Sequence, residues 1–167
     1  MSKPVILCID DQREVLAALI KDLEPFAEFF DIIDAENAED AGAVLDDMID
    51  RGMPVALIIS DHVMPGITGV ALLTQIRSRG DLPHTRKLLL TGLATHEDTI
   101  RAINEAAIDQ YIAKPWHADQ LHETVGRLVT QYILDVYPDS YQPFLPILNQ
   151  DVILDRMQHG QGPHGDR

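Results

Sequence analysis

The stretch V55-A-L-I-I-S-D-H-V-M-P-G66 decides the fold of this chain. Its first five residues are consecutive and apolar, which predicts a strand buried on both faces of a parallel sheet. The strand carries its charge at Asp61, at the carboxyl end, where ligands bind in open α/β sheets. Pro65 and Gly66 then turn the chain into a loop. We therefore expect the Asp61 carboxylate at the mouth of a sheet, with its oxygens facing solvent.

A second apolar run, V5-I-L-C-I9, also ends in carboxylates, those of Asp10 and Asp11. A single aspartate at a strand end often only caps the next helix. The prediction of a site therefore rests on finding Asp10 and Asp11 at the end of a second strand. If both strands are central and parallel, three carboxylates converge on one edge of the sheet. Like charges at that distance raise one another's pKa and destabilise the fold unless a cation lies between them. An all-oxygen cluster suits Mg²⁺, so Asp10, Asp11 and Asp61 form a candidate magnesium site.

Composition excludes several classes of function. The chain has 167 residues, 46% of them hydrophobic, which is enough for one globular domain with some residues left over. Its net charge of −14 repels phosphate backbones and anionic lipids, so we expect no direct nucleic-acid or membrane binding. No apolar run is long enough to cross a bilayer, and the N-terminus leads into a strand without a signal peptide. These features predict a cytoplasmic protein.

Strand patterns alternate with helix patterns five times along the chain. Strands are predicted over 5–9, 31–35, 55–61, 87–90 and 110–113, and helices over 12–23, 38–50, 69–79, 96–105 and 118–134. Thr95 and Asp98 predict a capping box for the fourth helix. Strands joined by helices run parallel with right-handed crossovers. The pattern therefore predicts a doubly wound α/β domain over Lys3–Leu134.

The last part of the chain has a different composition, so we divide the sequence into residues 1–134 and a C-terminal extension, 135–167. The extension mixes prolines with apolar residues such as Phe144. A short amphipathic helix is predicted over Asp151–Gln158, and the final H-G-Q-G-P-H-G-D-R is expected to be disordered. The sequence leaves three roles open for the apolar part: it folds back on the domain, it dimerises, or it leads to an output module.

Four of the five predicted strands end in a polar group that can face one pocket. A carboxylate that attacks a phosphoryl group needs a divalent cation, an ammonium and a hydroxyl around it. Asp61 is the candidate nucleophile, Lys114 the ammonium that pairs with the phosphoryl group, and Thr91 the hydroxyl that hydrogen-bonds to it.

Together these residues resemble the receiver domain of two-component response regulators, the CheY-like family, over about Pro4–Leu134. The matching elements are Asp10-Asp11, Asp61 with M64-P65-G66, Thr91, Tyr111 and Lys114-Pro115. The resemblance implies a flavodoxin-like five-stranded parallel sheet in the order 2-1-3-4-5. It also implies a cis Lys114-Pro115 bond.

The resemblance further implies that Asp61 accepts a phosphoryl group from a phosphohistidine on a sensor histidine kinase or phosphotransfer protein. In the family, a main-chain carbonyl matching that of Val63 joins the acidic residues around Mg²⁺. The domain is then a switch in phosphorelay signalling and not a turnover enzyme, although it catalyses its own phosphorylation and dephosphorylation.

Thr91 and Tyr111 match the family's switch pair, which alters the surface of the fourth helix, fifth strand and last helix, residues 95–134. An output partner or a homodimer is expected on that surface or on the extension. Val63 and Leu93 occupy positions that are often polar in the family. Neither side chain can orient a hydrolytic water, so we expect slow autodephosphorylation.

Two other functions compete with this interpretation. One is a receiver-like scaffold or adaptor that works without phosphorylation, against which the intact Asp10-Asp11 pair, Thr91 and Lys114 argue. The other is a Mg²⁺-dependent phosphohydrolase with an aspartate nucleophile. Such enzymes of the haloacid dehalogenase type carry Asp-x-Asp on the first strand, whereas Asp10 and Asp11 are adjacent.

Overall fold

The strands form one five-stranded, all-parallel sheet in the order β2-β1-β3-β4-β5, in a computed structural model that describes residues 2–160. This order confirms the flavodoxin-like topology. The strands are β1 Val5–Ile9, β2 Asp31–Ala35, β3 Val55–Asp61, β4 Arg86–Thr91 and β5 Gln110–Ala113. Every residue of β1 and β3 is buried, as their unbroken apolar runs predict, and β2 lies at an edge with mostly half-buried residues.

Within the described residues, six α-helices join and flank the strands. They are α1 Arg13–Asp22, α2 Ala38–Asp50, α3 Gly69–Ser78, α4 Glu97–Glu105, α5 Ala118–Val136 and α6 Gln150–Gly160, with 3-10 helices at Glu24–Phe26 and Gln142–Ile147. The helices α1 and α5 cover one face of the sheet, and α2, α3 and α4 cover the other. Among residues 2–160, no helix combines the length and the apolar content needed to cross a bilayer.

Helix starts follow local side-chain chemistry in two cases and depart from it in a third. The Asn37 side chain accepts from Asp40 N at 2.7 Å to cap α2, and Thr68 accepts from Ala71 N at 3.1 Å to cap α3. The predicted capping box at Thr95 and Asp98 is wrong. The residue before α4 is His96, and in the part of the chain that the structure describes no side chain caps that helix by a hydrogen bond. The residue types fit a capping box, but the chain enters the helix one residue too late for it.

The C-terminal extension folds back onto the domain, which is one of the three roles that the sequence left open. Phe144 is 7% exposed, and its ring lies 5.9 Å from that of Phe30. Asn149 N donates to the buried hydroxyl of Thr130 on α5 at 2.8 Å. Among residues 135–159 of the extension, four are buried: Phe144, Leu148, Val152 and Ile153. The apolar residues therefore extend the core beside α1 and α5.

The last helix is longer than the sequence predicts at both ends. Its backbone runs from Gln150 to Gly160, so the disorder that the sequence predicts from His159 onward is wrong for His159 and Gly160. Residues 161–167, which make up the rest of that tail, lie outside the described residues, and for them disorder stays a prediction.

Candidate functional site

The carboxyl edge of the sheet brings together side chains that are far apart in sequence. Lys114 Nζ, just after β5, donates to Asp61 Oδ1 at 2.7 Å, across 53 sequence positions. It also donates to Asp10 Oδ2 at 3.1 Å, across 104 positions. The Lys114-Pro115 peptide bond is cis, which confirms that expectation. A nucleophile candidate and an ammonium group thus meet where the central strands end.

One expectation about Asp61 is wrong. Its carboxylate was expected to face solvent, but the residue is only 7% exposed. Burial of a charged carboxylate is tolerated because the ammonium of Lys114 lies against it and compensates for the lost water. Asp10 is buried in the same way, whereas Asp11 is exposed.

The three carboxylates can act as a metal site. Asp10, Asp11 and Asp61 each offer an oxygen, and these oxygens lie within 4.8 Å of one another. A donor set made only of oxygen fits a hard cation such as Mg²⁺, which keeps part of its water shell. Val63, whose carbonyl the resemblance predicts as a further ligand, lies two residues after Asp61 and is exposed. The residues present therefore fit a magnesium ion.

The pKa values of Asp61 and Lys114 are shifted by burial and by the neighbouring charges. Burial raises the pKa of Asp61, Lys114 lowers it through its hydrogen bond and charge, and Asp10 adds to the rise; the net pKa is raised. For Lys114, burial lowers the pKa, but Asp61 and Asp10 outweigh it, so the net pKa is raised. The ammonium is thus charged at neutral pH. A second cation beside the Asp61 carboxylate would stabilise its charged form.

Backbone donors complete the site. Gln12 N donates to Asp10 Oδ1 at 2.9 Å, and His62 N donates to Asp61 Oδ1, also at 2.9 Å. Each of these donors follows a strand end and orients the carboxylate beside it. Sequence reasoning missed them because every residue except proline carries a backbone N–H, so no residue type marks the donor.

The candidate switch residues lie on neighbouring strands. Thr91 is buried at the end of β4, where its Oγ1 accepts from Leu93 N at 2.9 Å and its carbonyl accepts from Lys114 N at 2.9 Å. Tyr111 on β5 pairs with Leu89 on β4 and packs half-buried against the core beneath α2, α3 and α4. The end of β4 is therefore tied to Lys114, and the tyrosine lies two residues away in register.

Comparison with known proteins identifies the class to which this fold and site belong. Residues 6–126 match the family model of the response regulator receiver domain, and the chain belongs to that family. Receiver domains of response regulators are signalling domains of two-component systems.

Two curated relatives illustrate the range of proteins that contain such a domain. The chemotaxis protein CheY-3 of Vibrio cholerae is 30% identical over 126 residues, covering 74% of this chain and 89% of that protein. The hydrogenase transcriptional regulatory protein HoxA of Cupriavidus necator is 36% identical over 124 residues, which are 74% of this chain and 24% of HoxA. The chain thus spans about a quarter of the length of HoxA.

Solved structures agree with this family. The signal receiver domain of an HD domain-containing protein from Pseudomonas fluorescens Pf-5 has a TM-score of 0.68 at 28% identity, covering 81% of this chain and 93% of that one. The response regulator TrrA of Thermotoga maritima, in complex with Mg²⁺ and BeF, has a TM-score of 0.60 at 29% identity. That match covers 75% of this chain and 98% of TrrA.

Proposed function

We propose that this chain accepts a phosphoryl group on Asp61 and acts as a phosphorylation-controlled switch in two-component signalling. One observation carries the proposal: the Lys114 ammonium contacts both Asp61 and Asp10 at the place where three carboxylates converge. A buried nucleophile, a fixed cation and an oxygen-rich metal site are the parts that phosphoryl transfer to a carboxylate requires.

In the proposed reaction a carboxylate oxygen of Asp61 attacks the phosphorus of a phosphohistidine. The phosphorus–nitrogen bond breaks, the histidine nitrogen takes the electron pair, and an acyl phosphate remains on Asp61. Lys114 Nζ and His62 N both hold Oδ1, so the carboxylate is oriented before the phosphoryl group arrives. Water then attacks the phosphorus of the acyl phosphate, the bond between phosphorus and the Asp61 oxygen breaks, and inorganic phosphate leaves with return of the free carboxylate. The chain catalyses both steps.

The metal ligands we propose are Asp10, Asp11, Asp61 and the backbone carbonyl of Val63. When bound there, Mg²⁺ supplies charge neutralisation for the carboxylates and the phosphoryl oxygens. Lys114 pairs with one phosphoryl oxygen, and the Thr91 hydroxyl donates to another. That hydroxyl accepts from Leu93 N, and a hydroxyl can accept one hydrogen bond while it donates another.

The switch we propose links this site to the surface formed by α4, β5 and α5. Phosphorylation adds contacts for Thr91 that only one of two conformational states can make, so it shifts their populations. Tyr111 turns inward in the same transition. The phosphoryl donor is a sensor histidine kinase or a phosphotransfer protein, and the changed surface, or the extension, binds an output partner or a second copy.

We assign residues 1–134 to the receiver and 135–167 to the extension, with the described part of the extension in the same folding unit. The burial of Phe144 and Leu148 against the receiver supports this assignment. The helix α5 also runs to Val136, across the boundary.

The test is labelling by a small phosphodonor. The protein is treated with acetyl phosphate and Mg²⁺ and resolved on a phosphate-affinity gel, beside Asp61→Asn and the exposed control Asp47→Asn. We expect the unsubstituted protein and the control to shift, and Asp61→Asn and a chelator-treated sample to remain unshifted. A protein that never labels is a scaffold, and steady release of phosphate from small phosphoesters identifies a phosphohydrolase.

A further inference from the structure

The first residue of α3, Gly69, lies against the main chain of the proposed phosphoacceptor. A Cβ atom added at Gly69 would lie 2.1 Å from the carbonyl oxygen of Asp61 and 2.8 Å from Leu89 Cδ1. Even close carbon–oxygen contacts in proteins are about 3.3 Å, so no side chain fits there. Gly69 is not among the residues with positive φ. Glycine is therefore required at this position for space and not for backbone conformation.

Gly69 also closes the loop that follows β3, through a backbone hydrogen bond. Gly69 N donates to the carbonyl of His62 at 2.7 Å, which joins the two ends of the loop 62–68. That loop begins directly after Asp61 and contains Val63, whose carbonyl is a proposed metal ligand. The Asp61 carbonyl oxygen also accepts from the Ser60 hydroxyl at 2.9 Å. The end of β3, the loop and the start of α3 therefore form one tightly packed unit.

We propose that Gly69 is a positioning residue for the phosphoacceptor site, an inference that rests on the function proposed above. The missing side chain lets α3 lie directly on the Asp61 carbonyl. A Cβ atom separates α3 from β3, opens the loop 62–68, and moves the Asp61 carboxylate and the Val63 carbonyl relative to Asp10 and Lys114. Both the metal ligands and the nucleophile depend on this one contact.

The variant Gly69→Ala tests the inference by three measurements. Mg²⁺ affinity is followed by the fluorescence of Trp116, the one tryptophan of the chain, or by calorimetry. The rate of labelling by acetyl phosphate is measured at saturating Mg²⁺, and the thermal midpoint is recorded separately. We expect Mg²⁺ affinity to fall about tenfold or more, as when a supporting contact to metal ligands is lost. We expect labelling to fall about a hundredfold even when Mg²⁺ is saturating, because the nucleophile itself is displaced.

Two controls separate positioning from a general loss of stability. Gly42→Ala places a Cβ on α2 with nothing within 4 Å, so it should leave the site unchanged and stabilise the helix. Leu45→Ala removes a fully buried side chain of α2, so it should lower the thermal midpoint without changing Mg²⁺ affinity. If Gly69→Ala alone does not fold, the same measurements are made with it in the Gly42→Ala background.

A double variant identifies the contact responsible. Leu89→Ala makes room for the new Cβ on one side and leaves the Asp61 carbonyl in its way, so Gly69→Ala/Leu89→Ala should remain defective. Full rescue by Leu89→Ala overturns the proposal, and so do unchanged Mg²⁺ affinity and labelling in Gly69→Ala. If the unsubstituted protein binds Mg²⁺ but never labels, the proposed function fails, while the Mg²⁺ affinity of Gly69→Ala still tests the positioning role.

Discussion

The carboxyl edge of the sheet and the C-terminal extension are two regions assembled from distant residues, but they differ in what holds them. At the edge, Lys114 joins Asp61 and Asp10 through charged hydrogen bonds between buried or half-buried groups. In the extension, Phe144 packs between Phe30 and Tyr137, with its ring 5.9 Å from each of theirs. The charged groups at the edge can therefore bind and react with ligands, whereas the apolar packing of the extension stabilises the fold.

The two regions also differ in how far the sequence predicts them. The polar residues of the edge each follow a predicted strand, and parallel strands end on the same side. Outside the short helix predicted over Asp151–Gln158, the apolar residues of the extension follow no helical or strand period, so they do not indicate what they pack against. If the comparison is right, substitutions at the edge change phosphorylation, and substitutions in the extension change the free energy of unfolding.

The largest effect is expected for Lys114→Met. This change removes the ammonium that pairs with Asp61 and with the incoming phosphoryl group, and loss of one such donor slows a reaction about a hundredfold or more. Labelling by acetyl phosphate at saturating Mg²⁺ measures the effect, with the exposed Lys21→Met as the control. Equal labelling of the two variants would remove Lys114 from the proposed mechanism.

The next largest effect is expected for Phe144→Ala, in stability and not in labelling. Removing a buried phenylalanine destabilises a protein by about 3 kcal/mol or more. The neighbouring Leu145 is 42% exposed, so Leu145→Ala should change stability by no more than about 0.5 kcal/mol. Chemical denaturation measures both variants, and labelling of folded Phe144→Ala should match that of the unsubstituted protein. The packing seen for the extension is contradicted if the two variants unfold at the same denaturant concentration.

A smaller effect, on the lifetime of the phosphoryl group, is expected from substitution of Val63, a residue that is 65% exposed next to the site. An apolar side chain there cannot orient the water that hydrolyses the acyl phosphate, and Leu93 has the same limitation. Val63→Asn or Leu93→Asn should therefore shorten the half-life of the phosphoryl group severalfold. The decay of labelled protein after removal of the donor measures this, with Leu145→Asn as a remote control. An unchanged half-life in both variants refutes the expectation of slow autodephosphorylation.

The smallest effect concerns pH and the metal-free protein. Burial, the largest influence, raises the pKa of Asp61 in the folded state above its ordinary value, so its ionised form destabilises the fold above that pKa. Asp61→Asn removes this charge and should raise the thermal midpoint at neutral pH. The gain should shrink as the pH falls through the raised pKa, because the folded state then takes up a proton, and it should vanish below the ordinary value of 3.8, where Asp61 is neutral in both states. Calorimetric scans without Mg²⁺ across this range measure it, and a lower midpoint for Asp61→Asn at neutral pH shows that the carboxylate stabilises the fold.

The raised pKa of Lys114 has the opposite consequence. A cation whose folded pKa is raised contributes stability below its ordinary pKa of 10.5, and this contribution is lost as the pH rises through the folded value. The alkaline side of the stability profile therefore reports on Lys114. It should be flatter in Lys114→Met than in the unsubstituted protein.

The sequence by itself determined the strand–helix alternation, the two buried central strands, and the placement of Asp10, Asp61, Thr91 and Lys114 at strand ends. These follow from local patterns, since the period of apolar residues identifies each element and parallel strands share one carboxyl edge. The topology then followed from the resemblance that those residues carry.

Only the tertiary structure decided the rest. It buried Asp61 beneath Lys114, supplied the backbone donors at Gln12 and His62, pressed Gly69 against the Asp61 carbonyl, and folded the extension onto α5. It also left α4 without the predicted cap. Apart from the missing cap, these features depend on distances between separate parts of the chain, or on backbone groups that residues of nearly every type carry. Local residue patterns predict neither the contacts between separate parts of the chain nor the backbone groups that take part in them.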